Sequence, residues 1–359
     1  MIATQPLFFD KKLFHMKEPL IGKTLDELRM VAQKGKMPAF VGKQLADWLY
    51  AKGVTDFEEM INISKRNRAW LEENYSVGRE MPSDFVRSSD GTIKYLFKTP
   101  TSSPVEAVYI PDRDRATLCV SSQIGCKMNC YFCATGKLGF KGQLTSAQIM
   151  NQILSTPPDN QMKEWGLNPL SNIVFMGMGE PLDNWTEVKK AIEIITAPWG
   201  MAWSPRRITV STVGKLPELK DLIEHTDVNI ALSLHTPDME ERLSMMPAQK
   251  AFPIREVLKV IKGYDFSGQR RFSVEYIMWK GVNDDMDHAR ALVKLLQGID
   301  CRVNLIRFHE IPGVKLKPAS EERMLMFRNF LNSKGITATI RASRGEDVMA
   351  ACGMLAGKK

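Results

Sequence analysis

The chain lacks long apolar runs and any ordered targeting segment. No stretch approaches the roughly 18 apolar residues that a membrane-spanning helix requires. The opening segment, MIATQPLFFDKKLFHMKEP, does not show the basic, apolar and small-residue order of a secretory signal. We therefore expect a soluble, cytoplasmic protein with no membrane partner.

Repeats and low-complexity segments are also absent, and the composition is that of an ordinary globular protein. Of the 359 residues, 44% are hydrophobic and 25% are charged, which leaves room for one large or two medium domains. The net charge of +8 favours a polyanionic partner such as nucleic acid. A basic surface that binds nothing would have the same charge, so this indication needs support from specific residues.

Cysteine is scarce, and the three cysteines of the run CKMNCYFC have no fourth cysteine nearby. The spacing of Cys126, Cys130 and Cys133 is typical of metal-binding thiolates, and a four-iron cluster held by three thiolates keeps one iron open. Zinc is a weaker interpretation, since structural zinc sites usually take four protein ligands from paired CxxC-like knuckles. A disulfide is weaker still, because three neighbouring cysteines cannot all pair and the spacing suits a reducing compartment.

Periodicity divides the first third of the chain into two segments. Apolar residues recur three and four apart between 24 and 75, which predicts a small helical domain that we place at residues 1–80. FVRSSDGTIKYLF then predicts a hairpin with its turn at Asp90-Gly91, in a β extension over residues 81–115. The helical domain carries basic residues that either bind phosphates or form a solvated face: Lys34, Lys36, Lys43, Lys52, Lys65, Arg66 and Arg68.

Strand-like and helix-like segments alternate over residues 116–345, which predicts a parallel sheet with crossover helices. We predict strands at 117–121, 172–176, 207–212, 228–233, 272–278, 302–308 and 336–342. We predict helices at 145–155, 185–196, 216–225, 254–263, 285–297 and 320–333. Six such units favour an α/β fold with an incomplete (β/α)6 TIM-like barrel, although periodicity does not separate it from an open doubly wound sheet.

The cysteine triplet follows the first of these strands, so its loop is expected at the C-terminal mouth of the barrel, where such folds build their sites. Gly125 and Gly136 allow the backbone to wrap a cluster closely. Tyr131 and Phe132 either shield the cluster from water or pack in the core.

Five motifs in one order resemble the RlmN/Cfr family of RNA adenine methyltransferases, within the radical S-adenosylmethionine superfamily. They are LCVSSQIGCKMNCYFCATGKLGF, NIVFMGMGEPLDN, ITVSTVG, ALSLHTP and RGEDVMAACGML, and together they extend from about residue 106 to the C-terminus. The helical segment before them resembles the RNA-binding accessory domain of that family. The resemblance implies a partial radical S-adenosylmethionine barrel with one four-iron, four-sulfur cluster and S-adenosylmethionine as cofactors.

The resemblance also implies which residues hold these cofactors. Cys126, Cys130 and Cys133 match the cluster ligands, and the cofactor chelates the open iron and is cleaved to a 5′-deoxyadenosyl radical. Gly179 and Glu180 match residues that meet the amino group of the cofactor. Further cofactor contacts match Ser211, Ser233, Leu234 and His235, and His309 stands where relatives have an asparagine. An imidazole there can still hydrogen-bond a ribose or a carboxylate.

Two other cysteines match the reactive thiols of the family. Cys352, in a C-terminal segment at residues 346–359, matches the cysteine that carries the methyl group, and Cys119 matches the thiol that resolves the covalent RNA adduct by forming a disulfide. Glu106 matches the proton acceptor; without the resemblance, an exposed strand carboxylate would be the better interpretation. Cys301 matches no motif and is expected to pack in the core.

The resemblance therefore implies methylation of carbon 2 of an adenine in 23S rRNA at the peptidyl-transferase centre, and in the tRNA anticodon loop as in relatives. A small flavoprotein is expected as electron donor, and a monomer is the family expectation. Three alternatives stay open: a Cfr-like carbon-8 methyltransferase, a non-catalytic RNA-binding protein with a structural zinc, and a radical enzyme acting on a protein or small molecule.

Overall fold

A computed structural model describes residues 17–101, 103–266, 268 and 270–356. Residues 1–16 of the expected helical domain and residues 357–359 of the expected C-terminal segment lie outside the described residues. None of the described helices combines the length and the apolar character that crossing a bilayer takes.

The N-terminal unit is helical, and two short strands close it. Its helices are α1 (Leu25–Lys34), α2 (Val41–Ala46) and α3 (Lys65–Asn74), and β1 (Glu18–Pro19) pairs in parallel with β2 (Tyr75–Ser76). Thr24 and Glu27 form a capping box that fixes where α1 begins. Arg68 is buried and donates to the carbonyls of Met60 and Ile63, so its assignment to a phosphate-binding surface is wrong.

The rest of the described chain builds one large sheet, with helices packed on one of its faces. The sheet contains β3 (Asp84–Arg87), β4 (Ile93–Phe97), β5 (Val105–Asp112), β6 (Arg115–Cys119), β9 (Leu170–Phe175), β10 (Ile208–Thr212), β11 (Asn229–Ser233), β12 (Phe272–Met278), β13 (Arg302–Arg307) and β14 (Thr337–Ile340). A separate small hairpin pairs β7 (Gln123–Ile124) with β8 (Gly142–Gln143).

The strands lie side by side in chain order, from β3 at one edge to β14 at the other. The strands β3 to β6 pair antiparallel, and β6 and β9 to β14 pair in parallel. The two edges are not paired with each other, which confirms an α/β fold with an incomplete barrel of parallel strands.

All six predicted crossover helices are present, and the structure adds three short ones. The helices are α4 (Ala134–Lys137), α5 (Ser146–Leu154), α6 (Asp159–Trp165), α7 (Trp185–Thr196), α8 (Leu216–His225), α9 (Met239–Met245), α10 (Ile254–Lys262), α11 (Met286–Leu295) and α12 (Glu321–Ser333). The helices α4, α6 and α9 have four to seven residues, too few for a periodic pattern to reveal them.

The two faces of the parallel sheet differ in polarity, because successive side chains of a strand point to opposite faces. On one face Val210, Ile230, Leu232, Val274 and Leu305 are buried in the core with the helices. The alternate positions carry small or polar side chains, namely Thr209, Ser211, Ser233, Ser273, Glu275 and Asn304. The polar face leads to the C-terminal ends of the strands, where the predicted site residues lie.

Candidate active site

The three cysteines of the triplet lie in the loop between β7 and α4, and Cys133 is the residue that caps α4. Gly125 has a φ of +73°, and a Cβ there would lie 1.8 Å from the carbonyl oxygen of Gly139. A Cβ on Gly136 would lie 3.0 Å from the backbone nitrogen of Cys130. The loop is therefore folded back on itself so tightly that glycine is required at Gly125.

The thiols of the triplet are close enough to influence one another electrostatically. Burial raises the pKa of Cys130 well above its usual range, and the neighbouring Cys133 and Cys126 raise it further. Burial also raises the pKa of Cys126 to about 12. Thiols kept protonated in this way become thiolates when a metal centre takes the place of their protons.

This donor set fits an iron–sulfur cluster. Within the described residues, no three histidine, cysteine or acidic side chains converge on a single ion position. A four-iron cluster places its thiolates on separate irons, so its ligands need not converge on one point. Cys126, Cys130 and Cys133 would hold the cluster, and its fourth iron has no cysteine ligand among them.

Glu180 lies next to the cysteine loop and is held by backbone groups. Its two carboxylate oxygens accept hydrogen bonds from the N–H groups of Leu182, at 3.1 Å, and Val213, at 3.0 Å. Burial raises the pKa of Glu180 to about 7, although these hydrogen bonds act in the opposite direction. A buried carboxylate of this kind gains most from a cationic partner, such as the amino group of a ligand. Gly179, at a φ of +104°, allows the chain to pass Gln123 closely enough to place Glu180 there.

Ser211 and Ser233 lie near the C-terminal ends of β10 and β11 on the polar face, as the sequence predicts. Leu234 is buried, and His235 has a φ of +63° that turns the chain at this point. Burial, with the nearby Arg242, lowers the pKa of His235 to about 3, so its imidazole is neutral. Its Nδ1 accepts from the N–H of Ile277 at 3.1 Å, which leaves the proton on Nε2.

The C-terminal segment folds back over the cysteine loop. The N–H of Ala134 donates to the carbonyl of Gly353 at 2.7 Å, and the hydroxyl of Thr135 donates to the carbonyl of Leu355 at 2.7 Å. Buried His309 meets this segment too, with Nδ1 3.4 Å from a carboxylate oxygen of Glu346. These contacts place Cys352 directly beside the cysteine loop.

Cys352 and Cys119 are neighbours, although they are 233 positions apart in the sequence. Burial raises the pKa of Cys119, and Cys352 is the next largest cause. The Cys352 side chain is exposed, yet the surrounding protein raises its pKa, as do Glu275 and Cys133. Cys352 is thus an exposed residue whose thiol is surrounded by protein atoms.

A C-terminal latch, formed by residues 88–92 of the β3–β4 turn and residues 345–347, holds the start of this segment. The Asp347 carboxylate accepts from the Ser88 hydroxyl at 2.6 Å and from the Ser89 N–H at 3.0 Å. Asp90 accepts from the N–H of Gly345 at 2.9 Å. The β extension therefore fixes the segment that carries Cys352.

Glu106 is fully buried and forms an ion pair with buried Lys94 at 3.2 Å. Strand pairing aligns Lys94 with Val108 and Val108 with Cys119, so all three lie on the same face as Glu106. The expectation of an exposed strand carboxylate, stated for Glu106 without the resemblance, is wrong. The structure therefore places this ion pair on the sheet face that also carries Cys119.

Sequence reasoning missed several polar residues of the site. Glu275 is buried and accepts from Asn304 at 2.7 Å and from Ser273 at 3.0 Å. Lys94 and Glu275 each interrupt an apolar strand, IKYLF and FSVEYIM, and such an interruption is a signal that the sequence offers. Arg242 lies on the short helix α9 and gives no comparable signal.

Comparison with known proteins defines the class. Residues 120–293 match the radical SAM superfamily, and residues 19–77 match the ribosomal RNA large subunit methyltransferase N-terminal domain. A crystal structure of a radical SAM methyltransferase from Sphaerobacter thermophilus is similar, with a TM-score of 0.88 and 36% identity over 95% of this chain and 100% of that one. The fold and the cysteine loop thus define a radical S-adenosylmethionine enzyme, a class that uses a four-iron cluster and S-adenosylmethionine.

Curated relatives narrow the class further. A probable dual-specificity RNA methyltransferase RlmN from Parabacteroides distasonis is 56% identical over 96% of this chain and 98% of its own length. One of the same description from Bacteroides fragilis strain YCH46 is 55% identical over 96% and 97%. The chain belongs to the RlmN family and is a radical S-adenosylmethionine RNA methyltransferase. A Cfr-like enzyme is not favoured, and neither a zinc-stabilised binding protein nor an enzyme acting on a protein or small molecule agrees with this membership.

Proposed function

We propose that the protein methylates carbon 2 of an adenine in 23S rRNA and in tRNA, with Cys352 as the carrier of the methyl group. The names of the RlmN relatives support an RNA substrate of two kinds. The observation that carries the proposal is the position of Cys352, which the C-terminal segment brings to both the cysteine loop and Cys119. A methyl carrier needs both neighbours. The cysteine loop would bring the cofactor from which Cys352 receives the methyl group, and Cys119 frees Cys352 from the RNA after transfer.

The residues around the two thiols have separate tasks. The cluster and S-adenosylmethionine, when bound, supply the methyl group and the radical that activates it. Seven residues at the strand ends orient the cofactor: Gly179, Glu180, Ser211, Ser233, Leu234, His235 and His309. Cys352 holds the methyl carbon, which gives up one hydrogen atom to that radical and then bonds to carbon 2 of the adenine. The adduct loses one electron, which the cluster, when bound, would take up, and the Glu106 carboxylate accepts the proton that leaves carbon 2.

Release requires the second thiol. The Cys119 thiolate attacks the Cys352 sulfur, the sulfur–carbon bond breaks, and its electron pair stays on the carbon, which takes up a proton to become the methyl group. The product on the protein is a disulfide, which an external thiol reductant must reduce before the next turnover. Burial raises the pKa of Cys119, so a base must take its proton first.

The remaining parts of the proposal concern partners. A small flavoprotein supplies the electron, and the enzyme acts as a monomer in the cytoplasm. The N-terminal helical unit binds RNA, which is supported by the exposed side chains of Lys34, Lys36, Lys43 and Lys52 and by the match of residues 19–77 to an rRNA methyltransferase domain.

Nucleoside analysis of rRNA and tRNA from cells that lack their own RlmN tests the reaction. Cells expressing the wild-type protein should contain 2-methyladenosine, and Cys352→Ala should abolish it. Cys119→Ala should trap protein covalently on RNA, whereas Cys301→Ala, away from the site, should behave as wild type. The appearance of 8-methyladenosine instead, or full activity of Cys352→Ala, would overturn the proposal.

A further inference from the structure

Arg242 is a fully buried cation whose hydrogen-bond partners are all neutral. Its Nε donates to the carbonyl of Leu234, its Nη1 to Oε1 of Gln249 at 2.6 Å, and its Nη2 to the carbonyls of Ser233 and Val213. In the described part of the chain, no carboxylate lies within ion-pairing distance of the guanidinium. Burial lowers its pKa to about 10, and Cys130 is the group that acts against this.

A buried charge without a counter-charge is strongly unfavourable, and folded proteins rarely keep one. Neutral carbonyls solvate a guanidinium but do not neutralise it. Arg242 therefore points to an anion in its surroundings that the polypeptide alone does not supply.

An acidic group whose charge acts on the Arg242 guanidinium is the thiol of Cys130, in the cysteine loop. The positive charge of Arg242 acts to lower the pKa of Cys130, against the effect of burial, and so favours its thiolate. The helix α9, which carries Arg242, also holds this loop, because the N–H of Tyr131 donates to the carbonyl of Met245 at 2.8 Å. Three thiolates give a four-iron cluster a net negative charge, and reduction adds one more negative charge.

We propose that Arg242 is the buried counter-cation of the iron–sulfur cluster held by Cys126, Cys130 and Cys133, and that its charge favours the reduced cluster. This inference rests on the proposed role of these cysteines as cluster ligands. Because the reduced cluster is the more negative one, a fixed positive charge nearby stabilises it more than the oxidised cluster. Arg242 thereby raises the reduction potential of the cluster, so that the cluster accepts the electron that starts the reaction more readily.

A merely structural role would have other consequences. Arg242 ties the ends of β10 and β11 together through Val213, Ser233 and Leu234, so its loss would also loosen the strands next to the cofactor residues. Loosening lowers the amount of cluster bound. The loosening does not depend on the charge of the side chain at residue 242, whereas the reduction potential of the cluster does.

The test is a redox titration, followed by electron paramagnetic resonance, of anaerobically reconstituted full-length protein with dithionite as reductant. Arg242→Gln should lower the midpoint potential. At a fixed potential its ratio of reduced to oxidised cluster should fall about tenfold, which for one electron equals about 59 mV. Arg242→Lys should keep most of the wild-type potential, because it keeps the charge. Arg68→Gln, at a buried arginine of α3, is the matched control and should leave the potential unchanged.

Gln249→Glu provides a variant that keeps the arginine. The Oε1 atom of Gln249 accepts from both Arg242 and the N–H of Ile254, and a carboxylate can accept both bonds. The new ion pair should neutralise the guanidinium and lower the potential as Arg242→Gln does. The inference fails if Gln249→Glu or Arg242→Gln binds a full cluster at the wild-type potential, or if Arg242→Lys shifts the potential as far as Arg242→Gln.

Failure of the proposed function would look different. Wild-type protein that holds no four-iron cluster, or that makes no 5′-deoxyadenosine with its RNA, would refute the proposed function itself. A wild type that does both, with variants of unchanged potential, would refute only the role of Arg242.

Discussion

Gly345→Ala should release the segment that carries Cys352 while leaving the barrel folded. Gly345 has a φ of +64°, and a Cβ there would lie 2.8 Å from Cγ2 of Thr92 and 2.8 Å from Cβ of Ala350. The left-handed conformation costs an L-residue about 1–2 kcal/mol. The two contacts add overpacking of about 1–3 kcal/mol.

Together these terms weaken the C-terminal latch by about 2 kcal/mol at the least, which corresponds to about a 30-fold fall in the ratio of docked to free segment. Native-state hydrogen exchange measures this ratio at the amide of Ala350, which donates to the carbonyl of Gly345 at 2.8 Å. We expect that amide to exchange about 30-fold faster or more, and RNA methylation to fall with it.

Gly335→Ala is the matched control. Gly335 also has a positive φ, of +81°, but a Cβ there meets nothing within 4 Å. It shares the conformational cost without the clash and lies between α12 and β14, away from the latch. Exchange at Ala350 and methylation both equal to wild type in Gly345→Ala would refute the idea that the latch positions Cys352.

Three further predictions concern the ion pair, the cysteine loop and the latch. Lys94→Met should lower the free energy of unfolding in urea by about 3–5 kcal/mol, because it removes the cation of the buried ion pair with Glu106. Adding Glu106→Leu to this variant should restore much of the lost stability, and simple additivity of the two changes would contradict the prediction. Gly125→Ala should lower the iron bound per chain after reconstitution while far-ultraviolet circular dichroism stays unchanged, and full iron content would count against the close packing of the loop. Burial acts to raise the pKa of Asp90, but hydrogen bonds with Gly345 and Thr92 outweigh it and lower this pKa to about 2. The contribution of Asp90 to the latch is therefore present above the ordinary pKa near 4 and is lost as the pH falls towards 2. Hydrogen exchange at the Gly345 amide that accelerates already near pH 6 would be inconsistent with this sign.

The parallel strands, their crossover helices and the cysteine loop follow from local sequence. Strand and helix periods are set by neighbouring residues, and the five motifs each lie within about 25 residues, so both are visible without coordinates. The short helices α4, α6 and α9 span only four to seven residues, so pattern alone does not reveal them.

Contacts between distant segments are what the sequence does not reveal. The Asp-Gly pair at 90 and 91 predicts a turn, but not that the Asp90 carboxylate binds Gly345, which is 255 positions away. The burial of Glu106 depends on the register that sets Lys94 beside it, and register is fixed only when the strands pair. Arg68 stands on a helix among other basic residues, and only the packing of α3 shows that its side chain points inwards.

The raised pKa values of Cys119 and Cys352 bear on how the protein survives between reactions. Peroxide and other oxidants attack thiolates rather than thiols, so two sulfurs kept protonated are poor targets while the enzyme is idle. Damage and premature pairing are slow until a proton is removed during turnover. The burial that raises the pKa of Cys119 thus also protects its sulfur from oxidation.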